Sequence, residues 1–177
     1  METYSVENMA LSHLDDIMEI EALCYGKHHW SRESFASELN NSCARYITAI
    51  NGDKKCVGYM GVWRIFDEAH VTNLAVHPEY QGKGLAHFLI LSSLDMCYRD
   101  KIKYVTLEVR KTNARALKIY EGFGFKSLGI RKKYYQDNGE DAIIMWTESI
   151  FSDKYKEIYL KNKKFLEERL KNHEQKA

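Results

Sequence analysis

Proline is almost missing from this sequence: Pro78 is the single one in 177 residues. A proline-rich linker is thereby excluded, and long unstructured connections are not expected. Long apolar runs are missing too, since none nears the ~20 residues of a membrane-spanning helix. The opening METYSVENMALSHLDDIMEI has neither the basic region nor the continuous apolar core of a secretory signal. The cytoplasm is therefore the expected location, with no membrane partner. An excess of one charge is also lacking, because 26 Lys+Arg face 25 Asp+Glu for a net charge of +1. That balance gives no field to draw in nucleic acid, so no direct nucleic-acid partner is expected. Cys24, Cys43, Cys56 and Cys97 contain no C-x-x-C and are expected to be reduced, mostly buried thiols. Cys24 and His28 stand at i, i+4 beside His29, but no further ligand cluster accompanies them, and no metal is expected.

What is present is the material of one globular domain, 45% hydrophobic and 29% charged, with no internal repeat. Apolar residues at helical spacing (Leu11, Leu14, Ile17, Met18, Leu23) predict a helix over 11–23 behind Ser12 as its cap. A second helix over 31–39 follows Trp30, with Ser31 and Ser34 as caps. The period then changes to two. Residues 45–50 and 56–66 flank Asn51-Gly52-Asp53 as a hairpin, and 71–76 form a third strand. Gly84 to Tyr98 is apolar nearly all round, as in a helix buried against a sheet, and 104–109 form the next strand. Strand, helix and strand of these lengths make a βαβ unit, hence a parallel pair. A helix capped by Asn113 and ended at Gly122 to Gly124 leads to strands over 126–135 and 141–149, joined at Asn138-Gly139. The expected fold is α/β (α+β), a mixed and mostly antiparallel sheet flanked by helices. The domain spans 1–150 and a helical extension spans 151–177.

The segment VHPEYQGKGLAHFLI joins the third strand to the buried helix through two glycines. Unpaired N–H groups at a helix start, with the positive end of its dipole, favour a phosphate. Gly82 and Gly84 allow close backbone approach, and Lys83 adds charge. A magnesium-nucleotide loop is excluded because Gly84, not Ser or Thr, follows Lys83. A dinucleotide fingerprint is excluded because His87 stands where its third glycine belongs. On the loop alone, a tight turn and a phosphate site both remain open.

Gln81-Gly82-Lys83-Gly84-Leu85-Ala86 resembles the (Arg/Gln)-x-x-Gly-x-(Gly/Ala) signature of the GNAT acyltransferase superfamily. LEVRKTNARALKIYEGFGF and IRKKYYQDNGEDAIIM further resemble the RimI-type N-terminal acetyltransferases over roughly residues 44–146. The resemblance implies the GNAT fold, with its two central parallel strands splayed apart. It implies that acetyl-CoA is bound as cosubstrate by Gln81, Gly82, Lys83, Gly84, Leu85 and Ala86, by the strand Leu74-Ala75-Val76, and by Asn113 and Tyr120. It also implies that Tyr120 is the general acid toward the coenzyme sulfur, and that Tyr134, Tyr135 and the Trp30 loop line the peptide groove. That loop reads His29-Trp30 where relatives commonly carry Pro-Trp.

Alternation of Val105, Leu107 and Val109 puts Glu108 on the opposite face with Thr106 and Arg110. A carboxylate there takes the ammonium proton as general base, unless it is merely paired with Arg110. A protein α-amine, pKa about 8, is far more often neutral at pH 7 than lysine, pKa about 10.4. The expected acceptor is thus a protein N-terminus, by resemblance the alanine of the small-subunit ribosomal protein numbered eighteen. An internal lysine, a polyamine, or a catalytically silent acyl-CoA-binding module are the alternatives. The 151–177 extension carries eight Lys+Arg against five Asp+Glu and an apolar stripe (Phe151, Tyr155, Ile158, Tyr159, Phe165, Leu166, Leu170). It is expected to pack on the domain or on a second subunit, in a monomer or homodimer, rather than to seek a ribosome or membrane surface.

Overall fold

The computed structural model describes residues 3–174, the side chains of 170–174 excepted, so Leu170 of the expected stripe lies outside the described side chains. Among the described residues one sheet contains β1 (Tyr4–Asn8), β2 (Ala44–Asn51), β3 (Cys56–Ile65), β4 (Glu68–Val76), β5 (Tyr104–Arg110), β6 (Lys126–Arg131) and β7 (Ala142–Trp146). Their spatial order is β1-β2-β3-β4-β5-β7-β6. The helices are α1 (Leu14–Tyr25), α2 (Arg32–Leu39), α3 (Leu85–Arg99), α4 (Ala114–Gly122) and α5 (Asp153–Glu174). Only β4 and β5 run parallel, joined through α3 as the βαβ pattern requires. Every other neighbouring pair is antiparallel.

Each face of the sheet carries its own core. On one side Ile47, Ala49, Val57 and Met60 pack with Leu85, Leu89, Ile90 and Leu94 of α3, and Tyr155 and Leu166 of α5 join them. On the other side Tyr46, Ile50 and Tyr59 pack with Leu14, Ile17 and Ile20 of α1 and Phe35 of α2. Neighbours in β2 divide between the two cores, as period-two alternation demands.

Four expectations need correction. The chain starts with an edge strand, β1, rather than with helices; five residues pair with β2 and carry too little pattern to stand out. Ser12 does not cap α1, because residues 11–13 form a 3-10 turn and His13 takes the cap position. Leu11 and Leu23 are exposed, and the buried face of α1 is Leu14, Ile17, Ile20 and Glu21. The last hairpin is shorter than expected, leaving Tyr134 and Tyr135 in a loop. There the Asp141 carboxylate accepts from the Lys133 N–H at 3.0 Å and from Lys132 Nζ at 2.9 Å, which draws residues 132–141 off the ladder. Ser31 and Asn113 do cap their helices, accepting from the N–H groups of Ser34 and Ala116.

The parallel pairing of β4 with β5 runs from Glu68↔Tyr104 to Val71↔Leu107 and stops there. At that point the β3–β4 register jumps from Val62↔Val71 to Gly61↔Asn73, leaving Thr72 as an extra, unopposed residue. Such a bulge bends its strand. Tyr46 holds it, its hydroxyl lying 2.9 Å from Thr72 Oγ1 and 3.1 Å from Asn73 Oδ1. The Tyr46 ring fits only because residue 61 has no side chain; a Cβ there would land on the ring and 2.7 Å from Thr72 Oγ1. Gly61→Ala is accordingly expected to cost about 2 kcal/mol of stability in urea unfolding. Gly122→Ala, with open space around it, should cost nothing and gain up to about 1 kcal/mol from helix propensity.

Candidate active site

Beyond Val71 and Leu107 the two central strands part, and the backbone of β4 faces an open cleft. The His77 N–H donates to the Val57 carbonyl at 2.9 Å, and Val76 stands opposite Gly58. Alternation therefore turns the backbone groups of Leu74 and Val76 away from β3 and toward the cleft. Their carbonyls are already engaged. Leu74 O accepts from the Tyr25 hydroxyl at 3.0 Å, and Val76 O accepts from Gln81 Nε2 at 3.0 Å and from Cys24 Sγ at 3.5 Å. What remains directed into the cleft is the N–H of each residue.

Two cavities open along this cleft. The first, about 920 Å³, runs over Leu74, Ala75 and Val76 to the glycine loop at Gln81, Gly82, Gly84, Leu85 and Ala86. Gly82 and Gly84 take φ of 82° and 93°, a region that glycine enters without strain, and no side chain caps the amino end of α3. Gln81 is fixed at both ends, donating to Val76 O and accepting from Arg115 Nη1 at 2.7 Å. Lys83 does not line this cavity; its ammonium sits 4.7 Å from the centre of the Tyr80 ring. Arg115, Lys118 and Arg169 do line it, and among the described residues no carboxylate does. This is a pocket for an anion with an apolar arm.

The second cavity, about 690 Å³, has the opposite character. Glu21, Glu108, Asp137 and Glu140 line it against a single arginine, Arg110, with Trp30 and Tyr135 on its walls. Tyr134 is not brought in; it stands 43% exposed with its ring edge-on to Tyr135. Arg110 bonds Asp137 at 2.7 Å and Glu140 at 3.2 Å, and its guanidinium lies 3.9 Å over the Tyr135 ring. Arg110 does not pair with Glu108, which was the alternative to a role for that carboxylate as base. Glu108 meets Arg131 instead, at 3.1 Å.

The four carboxylates differ in freedom. Hydrogen bonds from the Thr112 hydroxyl and N–H hold Glu140 down to about 2, and Arg110 holds Asp137 below its usual range. Glu21 is buried and raised by desolvation, while the Tyr59 hydroxyl and the Trp30 N–H, at 2.6 Å, donate to it. Glu108 is partly buried, and among the described residues its carboxylate pairs with Arg131 alone.

Tyr120 and Asn113 line both cavities, as do Cys24, Tyr25, Leu74 and Ala116. Burial raises the Tyr120 phenol well above its ordinary value, so it keeps its proton at neutral pH. Asn113 accepts from the Ala116 N–H at 3.1 Å, which orients α4 and with it Tyr120.

Several residues here carried no clear sequence signal. Glu21 is a charge on the otherwise apolar face of α1, one turn beyond Ile17, and that position was the available clue. Arg110, Asp137 and Glu140 converge only through the loop before β7, and Arg169 arrives from the far end of the chain. Of the thiols, Cys56 and Cys97 are buried, Cys24 borders the cleft and Cys43 is exposed, so fewer are buried than expected. His28 lies in a 3-10 turn after α1, which breaks its helical spacing with Cys24. Among the described residues no three His, Cys, Asp or Glu side chains gather as metal ligands, and no helix is long and apolar enough to cross a membrane.

Comparison with known proteins agrees with this geometry. Residues 14–125 match the model of the acetyltransferase (GNAT) family. A Bacillus subtilis (strain 168) protein, provisionally named a [ribosomal protein bS18]-alanine N-acetyltransferase, is 42% identical over 143 residues, covering 80% of this chain and 93% of its own. The [ribosomal protein bS18]-alanine N-acetyltransferase of Escherichia coli (strain K12) is 36% identical over 118 residues, 66% of this chain and 78% of its own. The crystal structure of the ribosomal-protein-S18-alanine N-acetyltransferase from Escherichia coli superposes with a TM-score of 0.76 at 29% identity, covering 85% of this chain and 97% of that one. With parted central strands, an anion-receptive loop and a matching family model over most of its sheet, this chain belongs to the acetyltransferase (GNAT) family and is an acetyltransferase.

Proposed function

We propose that this enzyme transfers the acetyl group of acetyl-CoA to the α-amine of a protein N-terminus, with the N-terminal alanine of ribosomal protein bS18 as its target in the cytoplasm. One observation carries the reading: a cationic cavity and an acidic cavity meet at Tyr120. The basic side suits the diphosphate of the carrier, and the acidic side attracts an ammonium group. The names of the relatives supply the identity of the acceptor.

In this reading the loop amides of residues 82–86 take the diphosphate and the pantetheine arm runs along Leu74, Ala75 and Val76. Trp30 and Tyr135 border the incoming peptide, with Tyr134 at the outer rim. Glu108 takes the ammonium proton, and the neutral nitrogen attacks the thioester carbon. As the C–N bond forms, the N–H groups of Leu74 and Val76 face the developing oxyanion. The C–S bond then breaks, the Tyr120 phenol gives its proton to the departing thiolate, and the second proton of the attacking nitrogen is released to water or back to Tyr120 as the amide forms.

Acetyl-CoA offered with two peptides, one with a free N-terminal alanine and one blocked at its N-terminus with an internal lysine, should place an acetyl group on the alanine α-amine, located by mass spectrometry. Acetylation of the lysine alone would overturn the acceptor assignment. Glu108→Gln should slow turnover roughly 100-fold at pH 7 and much less at pH 9, where an α-amine of pKa about 8 is already neutral. An equal loss at both pH values would remove Glu108 as base. Tyr120→Phe should lower kcat roughly 100-fold with little change in KM for acetyl-CoA; a loss confined to KM would reduce Tyr120 to a wall of the pocket.

A further inference from the structure

The helix α5 lies beyond the segment matched by the family model, yet it reaches the glycine loop. Its course is fixed along α3 and α4. Tyr155 is fully buried, and the Tyr159 hydroxyl donates to Asp95 at 2.6 Å. Asn162 Nδ2 donates to the carbonyl of Gly122, the last residue of α4, at 2.9 Å. One turn further on, Leu166 is buried, its Cδ1 3.4 Å from where a Cβ on Gly84 would stand. The Phe165 ring lies 4.9 Å from that of His87 on α3.

These contacts deliver Arg169 to the mouth of the loop. Its Nε donates to the Gly82 carbonyl at 3.1 Å, its Nη2 meets the same oxygen, and its guanidinium lies 5.6 Å from the Phe165 ring centre. Among the described residues it pairs with no carboxylate, so its charge is not neutralised within the fold. The Gly82 carbonyl occupies one edge of the guanidinium, and among the described residues Nη1 has no hydrogen-bond partner. A cation held there, beside amides that receive an anion, serves that anion. Arginine suits the task because its planar fork bonds phosphate oxygens in fixed directions.

We infer that Arg169 is a binding residue for the diphosphate of the acyl carrier, supplied by a helix outside the family's shared segment. This rests on the reading of the glycine loop as the carrier site. Held on a helix rather than on a surface loop, the guanidinium is already in place before the carrier arrives.

Calorimetry on the full-length protein with coenzyme A tests both levels. Wild-type protein that takes up no coenzyme A would sink the carrier-site reading itself, and this inference with it. Given wild-type binding, Arg169→Ala should raise Kd roughly tenfold, as expected for losing one charge-assisted contact. Arg169→Gln, which keeps a donor for the Gly82 carbonyl but no charge, should bind as weakly as the alanine variant, while Arg169→Lys, which keeps the charge but not the fork, should recover part of the affinity. The loss should shrink at high salt, because the site is partly exposed. It should persist with 3′-dephospho-coenzyme A, and KM for the acceptor peptide should not move. Full rescue by glutamine would reduce Arg169 to a support for the loop backbone. Disappearance of the effect with 3′-dephospho-coenzyme A would reassign it to the 3′-phosphate, and unchanged or tighter binding by the alanine variant would overturn it. Equal melting temperatures of the variants and the wild type establish that the comparison is between folded proteins.

Discussion

The separation of β4 from β5 is the constraint from which the active cleft follows. Four residue pairs hold the strands together and then pairing ends at Val71 and Leu107. The extra residue, Thr72, sits at that point, and Tyr46 ties it from β2, reaching across Gly61 of the intervening β3. A continuous ladder would consume the N–H groups of Leu74 and Val76. Parting the strands leaves those groups directed at open space, while Tyr25, Cys24 and Gln81 take the carbonyls of the same residues. Backbone polarity inside a sheet, normally self-satisfied, is thereby made available to a ligand.

The cleft is divided by charge. One end gathers arginine and lysine around a glycine turn, and the other gathers carboxylates around two aromatic walls. Tyr120 stands where they meet, and burial keeps its phenol protonated. Among the carboxylates, the hydrogen-bond partners differ. Glu140 and Asp137 are tied to Thr112 and Arg110 and serve to hold the loop over the groove. Glu21 anchors Trp30 and Tyr59. Among the described residues Glu108 keeps only its pairing with Arg131.

The helix α5 extends the same logic beyond the shared segment of the family. It closes the α3–α4 side of the core through Tyr155 and Leu166, and its far end brings a guanidinium to the turn on which the carrier site depends. A single helix thus packs into the core at one end and reaches the glycine turn at the other. Burial of its inner stripe fixes the direction in which its polar residues point.

Much of this was legible from residue order. Period-two alternation with Asn-Gly turns located the hairpins, and the apolar run after Gly84 located α3 between two parallel strands. The glycine turn and the position of Glu108 on its strand stood out by residue type and spacing, while Tyr120 was marked only by resemblance to the family. The short edge strand β1, the early end of the last hairpin and the true buried face of α1 did not, because tertiary pairing and packing settle them against weak local preference. The sequence by itself determined the elements, their order and the parallel crossover, because short-range sterics and hydrophobic period act along the chain. Only the tertiary structure decided that Arg110 ties Asp137 and Glu140 rather than Glu108, that Tyr134 stays outside the groove, and that Arg169 reaches Gly82 across 87 positions of sequence. Those contacts join residues far apart along the chain, and no local rule of spacing encodes which charge will meet which.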